Sequence, residues 1–88
     1  MYQINLVTYR TRVDVKNARR KVANREKRIL GGRFENVGLA RKALEKLFEK
    51  EGFQIGNEVE EKDSETYVKT LFFGNVIIET EYKIIKCN

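Results

Sequence analysis

The sequence predicts an α+β fold, a small antiparallel sheet of four or five strands with one main helix packed on one face. Residues 37–51 repeat apolar side chains at helical spacing, residues 2–13 alternate as a strand does, and residues 66–86 form two β-rich runs divided by a two-residue turn. With 88 residues the chain is expected to make one small domain. No repeat or linker interrupts it.

The first strand is expected over residues 2–13, with Tyr2, Ile4 and Leu6 on one face and Val7, Tyr9 and Val13 on the other. Its apolar parity changes between Leu6 and Val7. Either both faces are apolar there or the strand carries a bulge.

Residues 14–30 admit two readings. Ala18 to Leu30 are mostly good helix formers, with Asn17 as a cap and Gly31 as a stop. The apolar stripe of such a helix is thin, only Ala18, Val22, Ile29 and Leu30. The preferred reading makes 26–34 a second strand paired with the first, leaving 15–25 as a projecting basic loop. Gly31-Gly32 then serves as a turn or bulge.

The helix over Val37–Glu51 is the clearest element. Ala40, Ala43, Leu44, Leu47 and Phe48 line one face, while Arg41, Lys42, Glu45, Lys46, Glu49 and Lys50 fill the other. Asn36 is placed to cap the first turn. Gly52 suits the left-handed position after the last turn, and Phe53 can fold back onto Phe48.

Residues 53–59 are expected as a short strand, and Glu60-Glu61-Lys62-Asp63-Ser64-Glu65 as a solvated loop. A C-terminal hairpin follows at about 66–86, turning at Gly74-Asn75. With Phe73 opposite Val76, the residues Tyr67, Leu71, Phe73, Val76, Ile78 and Tyr82 share the face that covers the helix. Val68, Thr70, Phe72, Ile77, Glu79, Glu81, Lys83 and Ile85 make the other, half-polar face.

Composition narrows the chemistry. There is no histidine to act as a general acid or base at neutral pH. Glu58, Glu60, Glu61, Asp63 and Glu65 lie in a polar run with nothing to raise their pKa values, and the run lacks the spacing of a calcium loop. Cys87 is the sole cysteine, so no internal disulfide is expected, and neither a zinc site nor a nucleophile pair can be built from it. No catalytic residue, cofactor or metal is therefore expected. Without a leader or a long apolar run, a cytoplasmic protein that does not bind membranes is expected.

Charge is unevenly placed. The chain carries 18 Lys and Arg against 13 Asp and Glu, a net charge of +5. Residues 10–33 hold ten cations (Arg10, Arg12, Lys16, Arg19, Arg20, Lys21, Arg25, Lys27, Arg28 and Arg33) and two acids (Asp14 and Glu26), for a net +8. Residues 34–88 are left at −3. Seven of the ten cations are arginine, whose guanidinium forks onto phosphate, and each phosphate neutralised releases counterions. Tyr9 lies among them as a ring on which a base can stack.

The expected function is a small non-enzymatic nucleic-acid-binding module that holds the phosphate backbone of DNA or RNA through Tyr9 and these ten cations. The competing expectation is a protein-binding accessory or phage-type inhibitor that docks on a nucleic-acid-processing machine, with Tyr82, Ile84 and Ile85 of the hairpin offering an edge strand to the partner. Homodimerisation through a sheet edge fits either. Gly31-Gly32-Arg33 lacks the remaining residues of a phosphate loop. Phe72-Phe73-Gly74 lacks the surrounding consensus of RNA-recognition strands, so core packing is the expected fate of at least one of the two phenylalanines.

Overall fold

The computed structural model describes the backbone of residues 1–14 and 19–87, and the side chains of that set outside residues 13–24. Five strands and one helix follow in the order β1 (Tyr2–Asp14), β2 (Arg19–Ile29), α1 (Val37–Glu51), β3 (Val59–Asp63), β4 (Thr66–Phe73) and β5 (Val76–Lys86). All ladders are antiparallel, and the strands lie in the order β2-β1-β5-β4-β3. This is the α+β class that the sequence predicts.

The central pair joins the two ends of the chain. β1 runs beside β5 in unbroken register from Tyr2↔Lys86 to Arg12↔Val76. No irregularity occurs at Leu6 and Val7, because an inner strand presents apolar residues on both faces. Leu6 packs toward the core, and Val7 is half-buried on the opposite face. A slip in the β1–β2 ladder falls instead between Arg10 and Thr11.

The second strand differs from expectation in both position and length. Residues 19–25, read as part of a projecting loop, belong to β2, whose ladder runs from Asn5↔Ile29 to Asp14↔Arg19. Residues 15–18 of that expected loop lie outside the described set. Cross-strand pairing along β1 supplies the backbone partners that a thin helical stripe could not secure by packing. Past Ile29 the chain leaves the ladder, with Gly32 at φ 102°, and rejoins β1 two residues late, where Tyr2 and Phe34 exchange backbone hydrogen bonds of 2.7 and 2.9 Å. The glycine pair thus sits in a bulged detour.

Helix α1 begins and ends as its sequence dictates. The Asn36 side chain accepts a hydrogen bond from the Leu39 amide at 2.9 Å. Gly52 takes φ 83°, and the Phe53 amide donates to the Phe48 carbonyl at 2.8 Å. Ala40, Leu44 and Phe48 point onto the sheet against Ile4, Val59, Tyr67, Tyr82 and Ile84. Phe48 meets both tyrosines edge to face, at ring separations of 5.7 Å to Tyr67 and 5.0 Å to Tyr82.

Residues 60–63 of the expected acidic loop belong to a strand, and only Ser64 and Glu65 form a turn. Val59 pairs with Lys69, Glu60 with Val68 and Glu61 with Tyr67, so a charged segment forms the outer edge. An edge position suits it, since exposed carboxylates discourage further strand addition. Conversely, the expected strand at 53–59 reduces to an isolated bridge between Ile55 and Val59. The hairpin register is the one the turn predicts, with Phe73↔Val76 and Tyr67↔Tyr82. Gly74 supplies the positive φ, 60°, that a two-residue turn requires.

Long strands under one short helix make the molecule elongated. Its radius of gyration is 14.4 Å, against roughly 12 Å for a compact chain of this length. Helix α1 reaches along the sheet as far as Lys69, whose ammonium lies 3.5 Å from Glu51 at the helix end. The ladder rows beyond Lys69 have no helix over them.

Candidate nucleic-acid interface

The basic segment is built as a two-stranded ribbon. Arg10 and Arg12 come from β1, and Arg25, Lys27 and Arg28 from β2; all five are exposed. No ion pair ties any of these cations to a carboxylate among the described residues. They are held on hydrogen-bonded backbone, so the ribbon presents positive charge from a mount that is already ordered.

Two faces share these cations. Lys27 pairs with Val7 and Arg25 with Tyr9 on the open face, while Arg28 pairs with Leu6 on the face that carries the helix. The Arg25 guanidinium carbon lies 5.6 Å from the centroid of the Tyr9 ring. Tyr9 is therefore engaged by a cation and remains half-exposed midway along the ribbon.

Not every expected site residue joins this group. Lys16 lies outside the described residues, as do the side chains of Arg19, Arg20 and Lys21; the backbone places Arg19, Arg20 and Lys21 opposite Asp14, Val13 and Arg12. Arg33 is exposed but stands beside Phe34 at the Tyr2 end of the sheet. That is about 30 Å along the strand from Arg12. Arg33 instead borders a shallow depression with Leu39, Lys42 and Lys46 of α1.

The open face of the sheet is mixed in charge. Glu79 and Glu81 of β5 stand opposite Tyr9 and Val7, so an acidic row lies on the far side of β1 from Arg25 and Lys27. On the helix-bearing face the rows past the helix end are different. Arg10 pairs with Ile78, which pairs with Leu71; Arg12 pairs with Val76, which pairs with Phe73. The β2 partners of these rows are Asn24 and Lys21, so neither row contains an acid.

This second surface was missed in the sequence. Phe72 and Phe73 are 69% and 60% exposed, contrary to the expectation that at least one would enter the core. Phe72, paired with Ile77, lies on the open face that carries no helix, and Phe73, paired with Val76, lies on the helix-bearing face beyond the reach of α1. Nothing within the hairpin sequence itself reports that limit, because it depends on where a separate helix stops.

The edge-strand route to a protein partner is overturned. β5 is paired on both sides, and Tyr82 and Ile84 are 2% and 1% exposed. The true edges are β2 and β3, the first rich in cations and the second in carboxylates.

The acidic segment has its own chemistry. Hydrogen bonds from backbone amides hold the Glu58 and Asp63 carboxyls below the usual carboxylate range, the Gln54 amide donating to Glu58 at 3.0 Å and the Glu65 amide to Asp63 at 2.8 Å. Both carboxyls therefore favour the ionised form. A cavity of about 320 Å³ lies between the end of α1 and the sheet, lined by Arg28, Lys69, Thr8, Thr80, Glu26 and Glu51 among others. Several of its polar groups are satisfied internally, Lys69 by Glu51, and the Thr8 and Thr80 hydroxyls by each other at 3.2 Å.

Among the described residues no group of three Asp, Glu or Cys side chains is arranged to hold a metal ion, and no helix is long and apolar enough to cross a membrane. No protein-family model, curated protein or solved structure matches this chain.

Proposed function

We propose that this protein is a small non-enzymatic nucleic-acid-binding module that grips the phosphate backbone through the β1–β2 ribbon. The observation that carries the reading is the set Arg10, Arg12, Arg25, Lys27 and Arg28, five exposed cations on two paired strands with no ion pair to a described carboxylate. Phosphates offer these guanidinium and ammonium groups acceptors that the described carboxylates do not, and their neutralisation releases condensed counterions. Tyr9 and Arg25 add an ordered ring-and-cation pair at the centre of the ribbon. Of the remaining five cations, Lys16, Arg19, Arg20 and Lys21 extend the same positive stretch in sequence, while Arg33 stands apart at the Tyr2 end of the sheet.

Titration of labelled duplex DNA, single-stranded DNA and RNA at increasing salt tests this reading. Affinity is expected to fall steeply with salt, and replacement of Arg19, Arg20, Arg25 and Arg28 by Ala is expected to weaken binding and flatten the salt dependence. Absence of binding at low salt, or affinity indifferent to these substitutions, overturns it.

A second reading uses the same ribbon against the acidic surface of a protein, as an accessory factor or inhibitor of a nucleic-acid-processing machine. The exposed Phe72 and Phe73 favour it, since aromatic and arginine side chains dominate binding energy at protein interfaces. Pull-down from the host with and without nuclease separates the two. Retention of a single protein after nuclease treatment, with no binding to free nucleic acid, supports the second.

A further inference from the structure

We infer that the bare end of the helix-bearing sheet face, the surface formed by Phe73, Leu71, Val76 and Ile78 with Arg10 and Arg12, is a single-strand site on which an unpaired base stacks. The inference rests on the nucleic-acid reading above and specifies its substrate.

Directly paired residues share a face of the sheet. The row Arg12, Val76, Phe73 therefore places a guanidinium and a phenyl ring on one surface, with a half-buried valine between them. Their Cα atoms are about 10 Å apart, two strand spacings, so both side chains can engage one nucleotide, the ring its base and the guanidinium its phosphate. The adjacent row, Arg10, Ile78, Leu71, repeats the arrangement with an aliphatic floor.

Charge selects the occupant. Both rows hold arginine and apolar residues without a carboxylate, whereas the open face behind them carries Glu79 and Glu81. An anionic ligand with flat apolar faces fits this combination. Nucleobases within a duplex have their faces stacked on neighbours, so the ring of Phe73 is available only to bases of a single strand. At 60% exposure Phe73 already stands clear of the core.

The test uses the full chain with fluorescein-labelled oligo-dT of about 15 nucleotides, within the site sizes usual for stacking platforms, beside a duplex of the same length. Wild-type protein is expected to bind oligo-dT more tightly than duplex. Phe73→Ala is expected to lose about 5- to 100-fold in oligo-dT affinity with the salt slope unchanged. Arg10→Ala with Arg12→Ala is expected to lower that slope by about 1.4, or 0.7 per phosphate contact.

Phe73→Trp adds a direct readout, because the chain has no tryptophan of its own. Its indole fluorescence should be quenched by saturating unlabelled oligo-dT. Circular dichroism verifies that each variant is folded.

Unquenched indole fluorescence of the Phe73→Trp variant at saturation, or equal oligo-dT affinity for Phe73→Ala and wild type, overturns the stacking site while leaving the phosphate-binding ribbon standing. Equal or tighter binding of duplex overturns the single-strand preference. A dimer in light scattering that Phe73→Ala dissolves, with oligo-dT affinity unaltered, assigns the surface to a second copy of the chain and overturns the proposal. Failure of wild type to bind any oligonucleotide removes the underlying reading as well.

Discussion

The guanidinium of Arg25 stands over the ring of Tyr9, 5.6 Å from its centroid, and the two residues are direct partners in the β1–β2 ladder. A cation so placed is attracted by the ring quadrupole, and its long side chain is restrained before any ligand arrives. The pair therefore links strand register to the readiness of the cationic surface.

Tyr9→Phe keeps the ring and is expected to leave oligonucleotide affinity within about twofold of wild type. Tyr9→Ala removes an exposed cation–π contact of about 0.5–1 kcal/mol and should weaken binding roughly two- to fivefold. Fluorescence anisotropy distinguishes these outcomes. Equal weakening by both substitutions points to the hydroxyl and not to the ring.

Leu44 is fully buried between α1 and the sheet. Leu44→Ala leaves a cavity in a small core and is expected to cost about 2–5 kcal/mol of stability. Urea denaturation monitored by circular dichroism measures the loss. An effect below about 1 kcal/mol would show that the helix is not seated on the sheet as described.

The two ends of α1 are expected to respond separately. Asn36→Ala removes the acceptor of the Leu39 amide and should cost about 1 kcal/mol. Gly52→Ala forces a Cβ into φ 83° and should cost about the same for a conformational reason. The double variant should be close to additive in thermal or denaturant unfolding, because the sites stand at opposite ends of a 15-residue helix.

Stability is expected to fall on both sides of neutrality. Glu58 and Asp63 have folded pKa values depressed by backbone amide donors. Their contribution is present above the unfolded carboxylate range, about pH 4, and is lost as pH falls through the folded values. Asp63→Asn with Glu58→Gln should flatten the acid limb of a stability profile. Burial, aided by Glu45 and Glu61 and opposed by Arg41, pushes the Tyr67 phenol up. Its contribution is complete below the unfolded value of about 10 and declines as pH rises through the folded one. Tyr67→Phe should reduce that alkaline decline, and absorbance titration of the phenolate should show a late-titrating tyrosine that the variant lacks.

Legibility in the sequence followed the range of the interactions involved. Asn36, Gly52 and the stripe from Ala40 to Phe48 act within one or two helical turns, and all three features stand where the sequence places them. Gly74-Asn75 likewise sets the hairpin register through a local turn. β2 was harder to read, because Arg19 to Arg28 carry helix-forming side chains with few β-branched residues. Its strand form comes from pairing with β1, whose residues lie up to two dozen positions away in sequence. Glu60 and Glu61 resembled a solvated loop for the same reason. Edge pairing with Val68 and Tyr67 overrides their weak strand propensity while leaving the charges in water.

The sequence by itself determined the α+β class, the helix with both its ends, the hairpin register and the concentration of cations in residues 10–33, since these follow from periodicity, turn chemistry and composition. Tertiary structure alone decided that the basic segment is a paired ribbon, that Tyr82 and Ile84 are sealed inside the sheet, and that Phe72 and Phe73 are left in solvent. Exposure is set by what lies across a residue and not by its own hydrophobicity. Here a 15-residue helix of about 22 Å covers only part of strands that run nearly twice as far, and the uncovered remainder is where Phe73 meets the row of Arg12.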